Sequence, residues 1–145
     1  MPEFLDLHSQ TTKVLRALSD EAMRRHGLHV GQNYLLAALW ARDGSTPGEI
    51  AGALHVTTPT VVKMATRMAA AGLIKRRADD RDKRLVRLWL TDAARALQRP
   101  IEAERRFIEK TVMAGLTDTE RKHLLKALSK IHESANKLLA EVNAA

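Results

Sequence analysis

Two Thr-Pro pairs, Thr46-Pro47 and Thr58-Pro59, lie only twelve residues apart in the segment TPGEIAGALHVTTPTVVKM, residues 46–64. Threonine caps a first helical turn, and proline is tolerated at the first helical position because no amide hydrogen is needed there. Glu49 can complete a capping box with Thr46. The first helix has room for barely two turns before a corner at His55-Val56, and the second starts at Thr57 or Thr58. This spacing predicts a helix-turn-helix.

The rest of the chain predicts a mostly α-helical fold. Aromatic residues make up 3% of the 145 residues, and alanine, leucine and methionine are frequent, which favours closely packed helices. Helices are predicted over 5–25 and 32–42 before the helix-turn-helix. After it, a long helix starts at Thr91-Asp92, is kinked at Pro100 and ends at Gly115. A capping box from Thr117 to Glu120 starts the last helix.

The periodicity changes after Gly72, which is the expected left-handed end of the second helix of the pair. Residues 73–77 and 84–90 read as two strands, since Val86, Leu88 and Leu90 alternate with Arg87 and Trp89. The charged loop ADDRDK separates the strands. A basic hairpin directly after a helix-turn-helix is a wing. Its three aspartates are expected to shape the loop and to pair with neighbouring arginines, and Trp89 is expected to cover a neighbouring element.

The positive charge of the chain is concentrated around this hairpin. Residues 57–91 hold nine lysines and arginines against three aspartates, a net +6 of the +7 carried by the whole chain. Such clustering favours a polyanionic partner, with nucleic acid as the first candidate and an anionic membrane surface as the second. A basic surface that only improves solubility remains an alternative, although it would not need clustering.

The outer face of the second helix carries no acidic residue. Val61, Met64, Ala65 and Met68 share one face, whereas Thr60, Lys63 and Arg67 share the other. The outer face is therefore expected to contact phosphates and base edges, with Val62 at its margin as a candidate for a thymine methyl group. From the helix, its start and the wing, the predicted DNA-binding residues are Thr57, Thr58, Pro59, Thr60, Lys63, Arg67, Arg77, Arg81, Lys83 and Arg84. The last three are candidates for a narrow minor groove.

The run LHVTTPTVVKMATRMAAAGLIKRRADDRDKRLVRLWLT resembles the winged helix of the MarR (multiple antibiotic resistance regulator) transcription factors, and ADDRDKRLVRLWLT is its most specific part. LHVGQNYLLAAL, residues 28–39, also resembles the family, so the likeness covers residues 28–131. Asp80 stands where the family often has proline, and Ala94 where it commonly has glycine. The resemblance implies a homodimer that reads an inverted repeat in double-stranded DNA, commonly a repressor released by a small molecule.

The C-terminal third supports a dimer independently. Apolar residues on the last helix recur at spacings of four and three, which is the pattern of a packing seam. The first helix of the same chain is an alternative partner for this seam. With the resemblance added, the predicted interface comprises Leu7, Leu124, Leu128, Ile131, Ala135, Leu138 and Val142. We expect residues 30–91 to form the DNA-binding lobe, and residues 1–29 and 92–145 to form the dimerisation region of a single domain.

By analogy with the family, a small-molecule effector would bind in a crevice between the dimerisation region and the lobe. The polar or aromatic candidates for its lining are His8, Arg16, His26, Tyr34 and Trp40. For each of these side chains, a purely structural or solvent-exposed role is the alternative.

Other classes of function are less well supported by the sequence. It has no HExxH, P-loop, GxSxG or dinucleotide-binding motif, so an enzyme is not expected. No cofactor is expected, and His123 and His132 would lie about 13 Å apart on one helix, too far to share a metal. The absence of cysteine and of a long apolar run predicts a cytoplasmic protein. A zinc sensor assembled across helices, a winged-helix adaptor that binds another protein, and an architectural DNA-binding protein remain alternatives.

Overall fold

The computed structural model describes residues 3–145, which form seven helices and two strands. The four helices before the hairpin are α1 (Glu3–Arg24), α2 (Gln32–Ala41), α3 (Pro47–Leu54) and α4 (Thr58–Ala70). The strands β1 (Ile74–Ala78) and β2 (Val86–Leu90) follow. The chain then continues through α5 (Asp92–Ala96), α6 (Gln98–Val112) and α7 (Asp118–Ala144).

The helix-turn-helix forms where the Thr-Pro pairs predict it. The hydroxyl of Thr46 accepts a hydrogen bond from the Glu49 amide, and the Glu49 carboxylate accepts one from the Thr46 amide, which completes the capping box. Thr57 caps α4, with Pro59 in the first turn. The corner between the helices lies at His55, whose φ of 55° is left-handed. Both predicted helix starts are therefore confirmed.

The strands pair antiparallel in a two-stranded sheet, with Ile74 opposite Leu90 and Ala78 opposite Val86. Ile74, Leu88 and Leu90 are buried and attach the hairpin to the core. The second strand begins at Val86 and not at Arg84, because the amide of Asp79 donates to the carbonyl of Leu85 and closes the loop there. The hairpin is otherwise the predicted wing.

The long helix predicted after Thr91 is two helices in the structure. Pro100 has no amide hydrogen to donate to the carbonyl of Ala96, four residues earlier. In a continuous helix its ring would also clash with that carbonyl. Accordingly, α5 ends at Ala96, Leu97 forms a turn, and Pro100 lies in the first turn of α6. The proline thus interrupts the helix where a kink is predicted.

The chain folds as two compact units, Met1–Arg106 and Phe107–Ala145. The core of the first unit is formed by apolar side chains that are at most a few per cent exposed. These include Met23, Leu35, Leu36, Leu39, Ile50, Val61, Met68, Leu88 and Ile101. In the second unit, α7 buries none of its residues. The first unit therefore contains the core against which α4 and the wing pack.

Candidate nucleic-acid interface

The inner face of α4 fixes which of its residues are available to a ligand. Val61, Ala65 and Met68 are no more than 1% exposed. One hundred degrees of rotation per residue then places Lys63 opposite this face, with Pro59 and Arg67 on either side of it. All three are exposed, as are Thr57, Thr58 and Thr60. The structure thus brings the helix candidates together on one open surface, here called the α4 outer face.

The start of α4 is held by two threonine side chains. The Thr57 hydroxyl accepts from the Thr60 amide at 3.4 Å, and the hydroxyl oxygens of the two residues lie 2.8 Å apart. These bonds fix the first turn, and the partial positive charge of its amides favours a negatively charged group. Within residues 3–145, no ion pair involves Lys63 or Arg67. Both cations are therefore available to an anionic partner.

Asp79 organises the loop of the wing. Its Oδ2 accepts from the amides of Arg81 and Asp82 at 3.0 and 2.8 Å, and its Oδ1 accepts from Nε of Arg87 at 2.6 Å. The bond from Arg87, followed by those from the amides of Asp82 and Arg81, lowers the pKa of Asp79 from 3.8 to about 2. Asp79 is thus a charged structural centre of the wing, as the sequence predicts for its aspartates.

The three wing candidates differ in how freely their charges are presented. Oδ1 and Oδ2 of Asp82 accept from Nε and Nη2 of Arg84 at 3.0 and 3.2 Å, and this pairing lowers the pKa of Asp82. The Arg84 side chain is nevertheless 90% exposed. Arg81 and Lys83 are exposed, and neither takes part in an ion pair within the described residues. The tip therefore presents three cations, one of them oriented by a carboxylate.

Arg77 and its neighbour Arg76 point to different surroundings, as the alternation of a strand requires. Nη1 of Arg76 donates to Oγ1 of Thr66 on α4 at 3.3 Å. Arg77 instead lines a polar cavity of about 340 Å³ together with Arg42, Asp79 and Arg87. The contact between β1 and α4 thus involves Arg76, which was not among the predicted residues, because strand alternation alone does not identify which side faces the helix.

Arg87 anchors the wing to the rest of the lobe. Besides its bond to Asp79, its Nη1 donates to the carbonyl of Gly44 at 2.9 Å and lies 3.6 Å from Oε1 of Glu49. The sequence presents Arg87 only as one of nine basic residues. Because its partners are 8, 38 and 43 residues away, no local spacing identifies this role.

The loop before α3 forms the other side of this anchor. Its amide–carbonyl bonds with β2 join Gly44 to Leu88 and Leu88 to Ser45, at 3.0 and 2.9 Å. Gly44 has a φ of 75°, and a Cβ there would lie 2.5 Å from Cη2 of the Trp89 ring. Trp89 therefore covers this loop, as predicted, and glycine is required at position 44.

The five effector-site candidates are not brought together. Tyr34 and Trp40 line one cavity of about 290 Å³, with Gln98, Glu102 and Arg105 on its other side. Nε2 of His26 lies 3.2 Å from Oε1 of Glu104, within hydrogen-bonding distance. His8 and Arg16 are exposed on α1 and do not line this cavity. Trp40 also donates from Nε1 to the carbonyl of Ala94 at 3.1 Å, so part of its role is structural.

The predicted dimerisation residues are exposed on their own helices. On α7, Leu124, Leu128 and Ile131 are 39–45% exposed, and Leu138 and Val142 are each 61% exposed. Ala135 is also exposed, as is Leu7 on α1, at 66%. Each helix therefore has an uncovered apolar surface.

A helix-turn-helix followed directly by a two-stranded wing defines a winged helix-turn-helix protein. Residues 29–86 match the model of the MarR family. Over these residues the chain resembles the MarR family. None of the helices within residues 3–145 combines the length and apolar character that a bilayer-spanning segment requires.

Two curated relatives and one solved structure illustrate the similarity. The HTH-type transcriptional regulator TtmR of Methylorubrum extorquens is 30% identical over 77% of this chain and 56% of its own length. The HTH-type transcriptional repressor MdtR of Bacillus subtilis is 28% identical over 79% of this chain and 74% of its own. The S. aureus MepR–DNA complex has a TM-score of 0.83 and 25% identity, covering 90% of this chain and 97% of that one. The chain thus spans little more than half the length of TtmR.

Proposed function

We propose that the protein is a sequence-specific DNA-binding transcriptional regulator. The observation that carries this proposal is the acid-free α4 outer face beside a basic wing. An ordinary exposed helix mixes charges of both signs to gain pairs between successive turns. On α4, Lys63 and Arg67 instead stand next to threonines and helix-start amides, a set of groups that suits phosphates and base edges. The solved structure of MepR with DNA supports the same role.

In this proposal, α4 enters a major groove and Arg81, Lys83 and Arg84 of the wing reach an adjacent minor groove. Residues 30–91 form the DNA-binding lobe, and residues 1–29 and 92–145 form the dimerisation region. The apolar surfaces of α1 and α7 bury against a second copy of the chain. Because DNA turns once in about 34 Å, the two copies read an inverted repeat whose half-sites lie about one turn apart.

We further propose that the regulator is a cytoplasmic repressor released by a small molecule. The match to the MarR family and the naming of its relative MdtR as a repressor support this direction of regulation. The cavity at Tyr34 and Trp40 is the effector site that the geometry favours, since its lining combines two aromatic rings with the charged groups of Glu102 and Arg105. An effector acts through its different affinity for the DNA-bound and free conformations. No catalytic role is proposed.

Fluorescence anisotropy with labelled duplexes tests the proposal against its alternatives. A regulator binds a duplex that contains its inverted repeat at least about 10³-fold more tightly than a scrambled duplex of the same length. Its affinity also falls steeply as salt is raised. Equal affinity for all duplexes would indicate an architectural protein. The absence of binding at low salt would indicate an adaptor.

A further inference from the structure

The α4 outer face contains an apolar residue that charge and hydrogen bonding leave unexplained. Val62 is 43% exposed, although it lies between the buried Val61 and the exposed Lys63. Its side chain has no donor or acceptor, so it gains nothing from phosphates or from the nitrogen and oxygen atoms of base edges. Among the groups on the floor of the major groove, the 5-methyl group of thymine is the apolar one.

Thr66 extends this apolar position by one helical turn. Its hydroxyl donates to the carbonyl of Val62 at 3.0 Å and accepts from Nη1 of Arg76 at 3.3 Å. The hydroxyl hydrogen and one of the two acceptor lone pairs of the oxygen are therefore used within the protein. Thr66 has no hydrogen left to donate to a base, and the apolar group that it can offer a ligand is its methyl. Residues four apart lie on the same side of a helix, so this methyl adjoins Val62.

We infer that Val62 and the methyl of Thr66 form a patch that recognises the 5-methyl group of thymine. Arg76 acts as a positioning residue, because its bond from β1 fixes the rotamer of Thr66. Lys63 and Arg67 supply charge without distinguishing bases at this position, whereas the patch distinguishes thymine from the other three bases. The inference rests on the proposed function and adds to it a determinant of sequence specificity.

Replacement of thymidine by deoxyuridine tests this directly, because it removes the 5-methyl group and retains base pairing. The full-length protein is titrated with a duplex that carries its selected site and with duplexes in which each thymidine is replaced in turn. At one or two thymidines in each half-site, we expect the affinity of the wild type to fall about three- to fivefold, the effect of burying one methyl group. The Val62→Ala variant should bind the original duplex more weakly and be indifferent to the same replacement.

Three further variants separate the patch from general effects. Val30 lies outside α4 and is 67% exposed. Val30→Ala removes the same methyl groups as Val62→Ala, but the affinity of this variant should still fall by the full amount, about three- to fivefold, when thymidine is replaced by deoxyuridine. Thr66→Ser retains the hydroxyl and loses the methyl, so it should reduce the effect. Thr66→Val loses the bond from Arg76 but retains a methyl on a β-branched side chain that strongly prefers one rotamer in a helix, so it should preserve the effect. A reduced effect in Thr66→Val with a full effect in Thr66→Ser would assign recognition to the hydroxyl and overturn the role given to the methyl.

The failure of this inference differs from failure of the proposed function. Specific binding that no deoxyuridine replacement weakens would overturn the inference alone. A full deoxyuridine effect in Val62→Ala would also overturn it, since another residue would then contact the methyl. If the protein prefers no duplex at all, the proposed function and this inference fall together.

Discussion

Nε of Arg87 donates a 2.6 Å hydrogen bond to Oδ1 of Asp79, and the same guanidinium group donates to the carbonyl of Gly44. The wing loop, strand β2 and the loop before α3 are thereby joined at one side chain. Asp79 in turn accepts from two amides of the wing loop. This arrangement sets the position of the wing relative to the helix-turn-helix. The charged residues that hold the wing in place, Asp79 and Arg87, are thus distinct from the exposed cations of the wing tip.

The Asp79–Arg87 pair predicts a specific titration. Because the pKa of Asp79 is lowered from 3.8 to about 2 in the folded protein, its stabilising effect is present above pH 4. The effect is lost as the pH falls towards 2 and the carboxylate is protonated. The Arg87→Gln variant should raise the pKa of Asp79 towards 3.8, which carbon NMR of the carboxyl group measures. The matched variant Arg95→Gln, which removes an arginine paired with Asp43, should leave it unchanged. An unchanged pKa in Arg87→Gln would contradict the assigned bond.

The charges of the α4 outer face predict a salt dependence. Replacing Lys63 or Arg67 by alanine removes one phosphate contact per subunit, so it should weaken binding to every duplex and reduce the slope of log K against log salt by about 1.8 for the dimer. Anisotropy titrations at several salt concentrations measure the slope. Lys126→Ala removes one positive charge from α7 and should leave the slope unchanged. Wild-type affinity and slope in both α4 variants would show that this face does not meet the DNA.

The wing predicts a dependence on the sequence that flanks each half-site. Arg81→Ala and Arg84→Ala should reduce affinity most for sites with A·T-rich flanks, whose narrow minor groove attracts arginine. Binding to paired duplexes that differ only in A·T or G·C flanks measures this preference. An equal loss on both duplexes would assign the wing to plain phosphate contacts.

The exposed apolar surface of α7 predicts the association state. Leu128→Glu places a charge in the proposed interface twice per dimer, so we expect its dissociation constant to rise on the order of 100-fold or more. Sedimentation equilibrium measures this change. Lys126→Glu changes the opposite side of α7 and should remain dimeric. A dimeric Leu128→Glu protein, or a monomeric wild type, would contradict the proposed interface.

The sequence predicts those parts of the fold that depend on local chemistry. Thr-Pro pairs, capping boxes and strand alternation act within a few residues, so the helix starts, the wing and the buried face of α4 could be placed in advance. Pro100 also acts locally, yet whether a proline bends or divides a helix depends on the packing of both halves, and here it divides the helix.

The parts that could not be predicted depend on distant partners. Arg76 and Arg87 contact groups on other elements of the fold. Their neighbours in the sequence do not distinguish them from Arg77. The effector-site candidates rest on analogy and residue type. Two of them share a cavity with residues of α6, while His26 lies against Glu104. Their role in binding an effector stays a prediction.

Selection of bound duplexes from random DNA, read by sequencing, tests the central proposal most directly. The full-length protein should enrich an inverted repeat whose two half-sites lie about one helical turn, roughly 10–10.5 base pairs, apart from centre to centre. The Lys63→Ala variant should enrich the same repeat but bind less DNA in total. Enrichment of no sequence, or of an isolated half-site without its inverted partner, would contradict a dimer that presents two copies of α4 to successive major grooves.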